Sequence, residues 1–242
     1  MSANGVPFMI TNPMKIALRA RGFTDSDIAQ MTPEDAHKIL LTPDERAARG
    51  FLEAFVALAI SSLADDPPPG LLQICNKHPN DSDVGPVRYQ LDDGDLVERM
   101  AHDALVASEA GLNVYIEGRL VCPGLRGKRR GDLGDTACVF ALAVDSDADK
   151  NMAWVPRADV RPTLTVETSP GNHQFWFFFE RALNPIRAQR LGEGLRRVTG
   201  GDSDTGNPTQ PYRIPGTINY PNKAKIERGR VVTPTLFLGA SP

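Results

Sequence analysis

Aspartates stand at alternate positions where an apolar run ends: residues 139–144 are all apolar, and Asp145, Asp147 and Asp149 follow. Read as a strand, the two-residue period puts Val139, Ala141, Ala143, Asp145 and Asp147 on one face and Phe140, Leu142 and Val144 on the other. The bulky set belongs to a core. The small-then-acidic set leaves room for something lying over the strand. Carboxylates at i and i+2 stand ~6.6 Å apart on a strand rising ~3.3 Å per residue. From there they can converge on a pair of divalent ions ~3.5–4 Å apart. Clustered negative charge on a central strand needs a cation or a partner to offset it. An EF-hand is excluded, because it requires Gly at its sixth position and Glu at its twelfth, and Lys150 and Pro156 stand there. A strand that ends in a polar turn is the plain alternative.

Just upstream, Leu125-Arg126-Gly127-Lys128-Arg129-Arg130-Gly131-Asp132 interleaves basic residues with glycine. Such a loop can bring its backbone close to an anion. Its position before the carboxylate strand makes Lys128, Arg129 and Arg130 candidates for triphosphate binding. Charge is divided unevenly: residues 1–118 hold 9 Lys/Arg against 18 Asp/Glu, and residues 119–242 hold 18 against 12. The total of −3 conceals a basic second half suited to a polyanion. Three widely spaced cysteines suit a reduced, cytosolic protein. Cys75-Asn76-Lys77-His78 has no second Cys/His pair at metal spacing. The sequence contains neither a membrane-spanning run nor a signal pattern.

The elements that must position these residues follow from periodicity and capping. Residues 1–41 read as three short helices, closed by Gly22 and capped at Thr24 and Thr32. A longer helix is predicted from a capping box at Thr42 to about residue 64, and another over 95–110. Strands are predicted at 71–75 and 113–120, with a polar loop over 76–93. Residues 164–168 and 173–179 form a hairpin around Pro170-Gly171, which suit a type II turn. Residues 185–198 form a helix bearing Arg187, Arg190, Arg196 and Arg197, and the tail over 230–238 reads as one edge strand.

Asp-x-Asp at a strand end, then Gly171-x-His173 in a hairpin, then Gly200-Gly201-Asp202 before Arg213-x-Pro215-Gly216-Thr217-x-Asn219, together resemble the archaeo-eukaryotic primase superfamily. The likeness is to its RepB-like and primase-polymerase (PrimPol) branch of plasmids and phages. It spans residues 113–222 and, less clearly, the helices from about 44. The resemblance implies an α+β fold, with an α/β module joined to a sheet like the RNA-recognition motif and the site in the cleft between them. On that basis residues 42–242 are the catalytic domain and residues 1–41 a separate helical module.

It further implies that Asp145, Asp147 and Asp202 are the catalytic carboxylates and hold two Mg²⁺ or Mn²⁺ ions, with Asp204 as the alternative third ligand. His173 would contact the incoming nucleotide's phosphates, with Arg213 also at the nucleotide. The implied activity is DNA primase, DNA polymerase or both, using nucleoside triphosphates on a single-stranded DNA template or primer in plasmid or phage replication. A helicase, on a separate chain or in a further C-terminal region, is an expected partner, and the expected setting is the cytoplasm of a prokaryotic host. Two other classes stay open: a two-metal nuclease or phosphohydrolase, and a replication-initiator module that binds DNA without catalysis.

Overall fold

A computed structural model describes residues 9–63, 68–148, 154, 156, 160–201 and 204–240. Asp149 and Asp202 lie outside the described residues. Seven helices and eleven strands are present among those described. The fold is α+β, and no described helix is long and apolar enough to cross a membrane.

The acidic strand is β5 (Thr136–Asp147), in an antiparallel sheet with β4 (Arg119–Val121), β6 (Leu164–Ser169), β7 (Asn172–Leu183) and β11 (Leu236–Ala240). The strand order is β11-β6-β7-β5-β4. The expected alternation along β5 holds from Ala141 to Asp147 but not before it. Phe140 N and Ala141 N both donate to the Gly118 carbonyl, at 2.9 and 3.0 Å. This two-against-one pairing is a β-bulge, and it reverses the parity of everything on its N-terminal side. Phe140 therefore joins Ala141 and Ala143 in the main core, and Val139 joins Leu142 under the sixth helix.

Gly118 also divides what the sequence suggested was one strand. Residues before it form β3 (Asn113–Ile116), in a second antiparallel sheet with β1 (Leu72–Lys77), β2 (Asp83–Tyr89) and β8 (Tyr212–Arg213), ordered β2-β1-β3-β8. Residues after it form β4 in the first sheet. A side chain at Gly118 would stand 2.3 Å from the Ala141 carbonyl oxygen, so the two sheets meet there backbone to backbone. Strand β2 falls where a polar loop was expected, because Gly85 and Pro86 interrupt the alternation of an edge strand.

Helix α4 (Glu45–Ser62) is capped by the Asp44 side chain, two residues beyond the expected Thr42, and covers the first sheet. Phe55 meets Phe140, Trp176 and Phe178 edge-on, with centroids 5.5, 5.2 and 5.3 Å away. Such pairs add to the burial of their large apolar area. Helix α5 (Leu96–Glu109) extends this core over β1 and β3. Helices α1 (Asn12–Ala20), α2 (Asp25–Gln30) and α3 (Pro33–Leu40) enclose a smaller core of Ala17, Leu18, Ile28, Ala36 and Leu40. Leu236 of β11 completes that core, so the helical module is seated on the edge of the first sheet.

On the other face lies α6 (Pro185–Thr199), which starts at an Asn184 cap and ends at Gly200 with φ +68°. Gly192 in its middle leaves no gap: a side chain there would come 1.8 Å from the Gly206 carbonyl oxygen. That contact seats the segment 204–206 against β5, where Gly206 N donates to the Ala143 carbonyl at 2.9 Å.

The basic loop is held, not loose. Fully buried Arg119 donates to the carbonyls of Asp132, Arg130 and Gly131 at 2.8, 3.1 and 2.9 Å, to Thr136 at 2.6 Å, and to Glu117 at 2.8 Å. Arg130 meets the same buried Glu117 at 2.6 Å.

Two substitutions test these supports. Arg119→Met leaves Glu117 and three loop carbonyls short of donors, and should cost about 3–5 kcal/mol in urea unfolding; a change below 1 kcal/mol would contradict the network. Gly192→Ala gains about 1 kcal/mol of helix propensity, yet should lower the unfolding midpoint and shift the amide resonances of Thr205 and Gly206. A variant more stable than wild type would show that the contact does not constrain the loop.

Candidate active site

The carboxylates open into a cleft of about 310 Å³ between the two sheets. Asp145 and Asp147 enter it from β5 and Gln174 from β7. Lys77 at the end of β1, Tyr115 on β3 and Arg213 on β8 face them from the second sheet. Asp204, Asn219 and the segment 221–230, which contains α7 (Lys223–Glu227) and bears Lys225 and Arg230, also line it.

Each side chain is held by identifiable contacts. Thr205 Oγ1 accepts from Asp145 N at 3.4 Å, and the Tyr212 hydroxyl lies 3.0 Å from the carbonyls of both Ala143 and Asp204. Arg213 is fixed at three points. Its backbone N donates to Gln174 Oε1 at 3.0 Å, and its Nη1 donates to Asn113 Oδ1 at 2.7 Å. Its guanidinium lies over the Tyr115 ring, 4.9 Å from the centroid. Asn113 also accepts from Tyr220 N at 2.9 Å, which ties Arg213 to the strand β9 (Ile218–Asn219) that follows the Pro215-Gly216 turn. The turn needs glycine, since Gly216 has φ +80° and a side chain there would strike the start of α4.

The electrostatics are those of an anion site beside a cation site. Burial pushes the Lys225 amine below the usual lysine range, and neighbouring Arg213 and Arg230 push it further, with Asp81 and Asp145 opposing. Arg230 Nη2 stands 3.1 Å from Asp147 Oδ1, both side chains being largely buried. Asp81, at the tip between β1 and β2 with φ +66°, accepts from Asn222 Nδ2 at 2.7 Å. That bond ties the tip to the segment bearing Lys225 and Arg230.

Of the residues expected from sequence, the structure brings Asp145, Asp147, Asp204 and Arg213 into one cleft. His173 is placed elsewhere. Register pairs Ser146 with His173 and Asp145 with Gln174, so alternation puts His173 on the face opposite the carboxylates. There its ring stacks on Phe175 at 5.6 Å, and Nε2 lies 3.9 Å from Glu167. Gln174 takes the cleft position that His173 was expected to hold. The loop cations are not among the cleft-lining residues either. Arg130 is engaged with Glu117, Arg129 approaches Asp135 at 3.3 Å, and Lys128 packs on Gly85. The cations that do line the cleft are Lys77, Arg213, Lys225 and Arg230. For Arg213, Lys225 and Arg230 the signal was the excess of Lys and Arg in the second half, which the loop before β5 drew to itself; Lys77, in the acidic first half, had none.

The donor chemistry fits a hard divalent ion. Asp145, Asp147 and Asp204 bring carboxylate oxygens to one cleft. Asn219, which also lines the cleft, holds a buried amide oxygen with no hydrogen-bond partner among the described residues, while its Nδ2 donates to the Thr168 carbonyl at 2.7 Å. Oxygen-only sets suit Mg²⁺ or Mn²⁺ over softer metals. Among the described residues no three His, Cys, Asp or Glu side chains are already gathered around one point. Asp147 is instead paired with Arg230.

Comparisons with known proteins agree with this architecture. The AEP domain of the primase-polymerase (PrimPol) of cyanophage S-2L superimposes with a TM-score of 0.50 at 16% identity, covering 80% of this chain and 90% of that one. The catalytic domain of primase RepB′, in a complex with initiator DNA, gives a TM-score of 0.49 at 17% identity, covering 80% of this chain and 85% of that one. No curated protein matches the chain. The model of the RepB DNA-primase N-terminal domain matches residues 90–236, from before β3 through the last cleft residues to the start of β11. With well over half its length matched, the chain belongs to the family of RepB DNA-primase N-terminal domains.

Proposed function

We propose that the chain is a template-dependent nucleotidyltransferase, a DNA primase or polymerase, extending chains on single-stranded DNA from nucleoside triphosphates. The observation that carries this reading is the opposition of Asp145 and Asp147 to Lys77, Arg213, Lys225 and Arg230 across one cleft. Two-metal nucleotidyl transfer needs carboxylates on one side and triphosphate-binding cations on the other. Asp145 and Asp147 would hold the ions, with Asp202 or Asp204 as third carboxylate. Bound Mg²⁺ or Mn²⁺ would activate the attacking hydroxyl and neutralise the departing pyrophosphate. Arg213, held at three points before any ligand arrives, presents charge to the triphosphate without reorganisation. Gln174 keeps its amide NH₂ as a neutral donor beside Asp145.

Incubation with a primed template, Mg²⁺ or Mn²⁺ and each nucleotide set, with products sized, tests the activity. Longer products support synthesis, and shortened ones alone would point to a nuclease. Asp145→Asn and Asp147→Asn should each cut synthesis by about a hundred-fold or more, with thermal unfolding little changed. Retained synthesis in either would remove that residue from the metal site. Comparing Asp204→Ala with Asp202→Ala identifies the third ligand by which of them loses metal binding.

Gln174→Ala should lower kcat/KM for nucleotide about ten-fold. His173→Ala should change it less than about two-fold, since surface substitutions away from a site have small effects. The reverse order would place His173, not Gln174, at the nucleotide.

A further inference from the structure

Arg230 lies 3.1 Å from Asp147 Oδ1, with the two side chains only 13% and 8% exposed. Asp147 is also one of the two β5 carboxylates that would hold a metal. A divalent ion and a guanidinium cannot both take the same carboxylate lone pairs at bonding distance. Burial lowers the proton affinity of Lys225, and Arg213 and Arg230 both lie near enough to lower it further. Three cations in one wall repel one another, and the nearby Asp81, Asp145 and Asp147 offset them.

We propose that Arg230 is an exchange residue: it neutralises Asp147 in the ligand-free cleft, yields that carboxylate to the entering divalent ion, and turns to the polyphosphate of the nucleotide. The proposal rests on the reading of this cleft as a metal- and nucleotide-binding site, and goes beyond it. Its consequence is linkage. Metal alone binds weakly because it must break the Arg230–Asp147 pair. Nucleotide alone binds weakly because Arg230 is engaged. Each ligand removes the obstacle to the other, so the two bind with positive coupling, equal in both directions. Metal without nucleotide, or nucleotide without metal, would then leave the site largely empty.

The test is a pair of titrations on the full chain, reading binding and not turnover. Mn²⁺ is titrated alone, followed by electron paramagnetic resonance of the free ion. A non-hydrolysable nucleoside triphosphate analogue is titrated separately at saturating Mg²⁺. Arg230→Ala should tighten Mn²⁺ about ten-fold, or about 1.4 kcal/mol, while weakening the analogue by a similar factor. Opposite signs from one substitution are not expected of a residue that only supports the fold. Asp147→Asn in the Arg230→Ala background should abolish the gain in Mn²⁺ affinity.

Equal Mn²⁺ affinity in wild type and Arg230→Ala would overturn the exchange while leaving the metal site standing. Absence of binding of either ligand to either protein would overturn the metal-and-nucleotide reading together with it. The wild-type chain supplies a check free of mutational damage. The Arg230 side-chain ¹⁵N resonance should shift as Mg²⁺ is added, and a resonance that stays in place through saturation would overturn the proposal.

Discussion

A buried strand must have the hydrogen-bonding groups on both of its edges satisfied, and β5 meets that requirement in three different ways. Along one edge it pairs with β7. Along the other, β4 reaches only as far as Val139, and the single Gly118 carbonyl then serves two amides. Beyond that the edge is completed by Gly206 N and Thr205 Oγ1, with the Tyr212 hydroxyl at the Ala143 carbonyl. An unpaired backbone group in that position would cost as much as a lost hydrogen bond. The last of the three solutions brings Asp204 and Arg213 beside Asp145. The same stretch of chain thus fulfils a structural need and furnishes the cleft.

The parts of the fold written in local pattern were legible. Capping residues marked the short N-terminal helices and, to within two residues, the start of α4; helical periodicity marked α6, and the apolar run marked β5. What depended on pairing was not. Strand β2 has no local signature once Gly85 and Pro86 interrupt it. The division between β3 and β4 turns on one glycine, whose role is visible only when the Ala141 carbonyl lies against it. The bulge at Phe140 belongs to the pairing of two strands and has no trace in either one.

The site was legible in part for the same reason. Asp145 and Asp147 announce themselves by spacing, and Arg213 by the turn motif that follows it. His173 and Gln174 are neighbours in sequence, and side chains along a strand alternate strictly. Only the register of β7 against β5 decides which of the two faces the carboxylates, and the register selects the glutamine. The sequence drew attention to a conspicuous cluster at 128–130, near the acids along the chain but not among the residues lining the cleft. Buried Glu117 and Arg119 bind that cluster into the scaffold, while Lys225 and Arg230 reach the cleft from a stretch with no pattern of its own.

Asn113 bonds to Tyr220 and Ser108 to Ile218, contacts spanning 107 and 110 residues. They tie the second sheet and α5 to the strand that leads into the cationic segment. During synthesis the acids of β5 leave the ribosome well before Arg213, Lys225 and Arg230, and N-terminal parts fold first. Until those later residues arrive, Asp145 and Asp147 repel each other at the end of a strand whose second edge is still bare. Contacts of such separation carry a large loop-closure cost, so the cleft is expected to be completed late in folding. A chain made only as far as β7 can hold most of its hydrophobic core and still lack Arg213, Lys225 and Arg230, three of the cations that line the cleft.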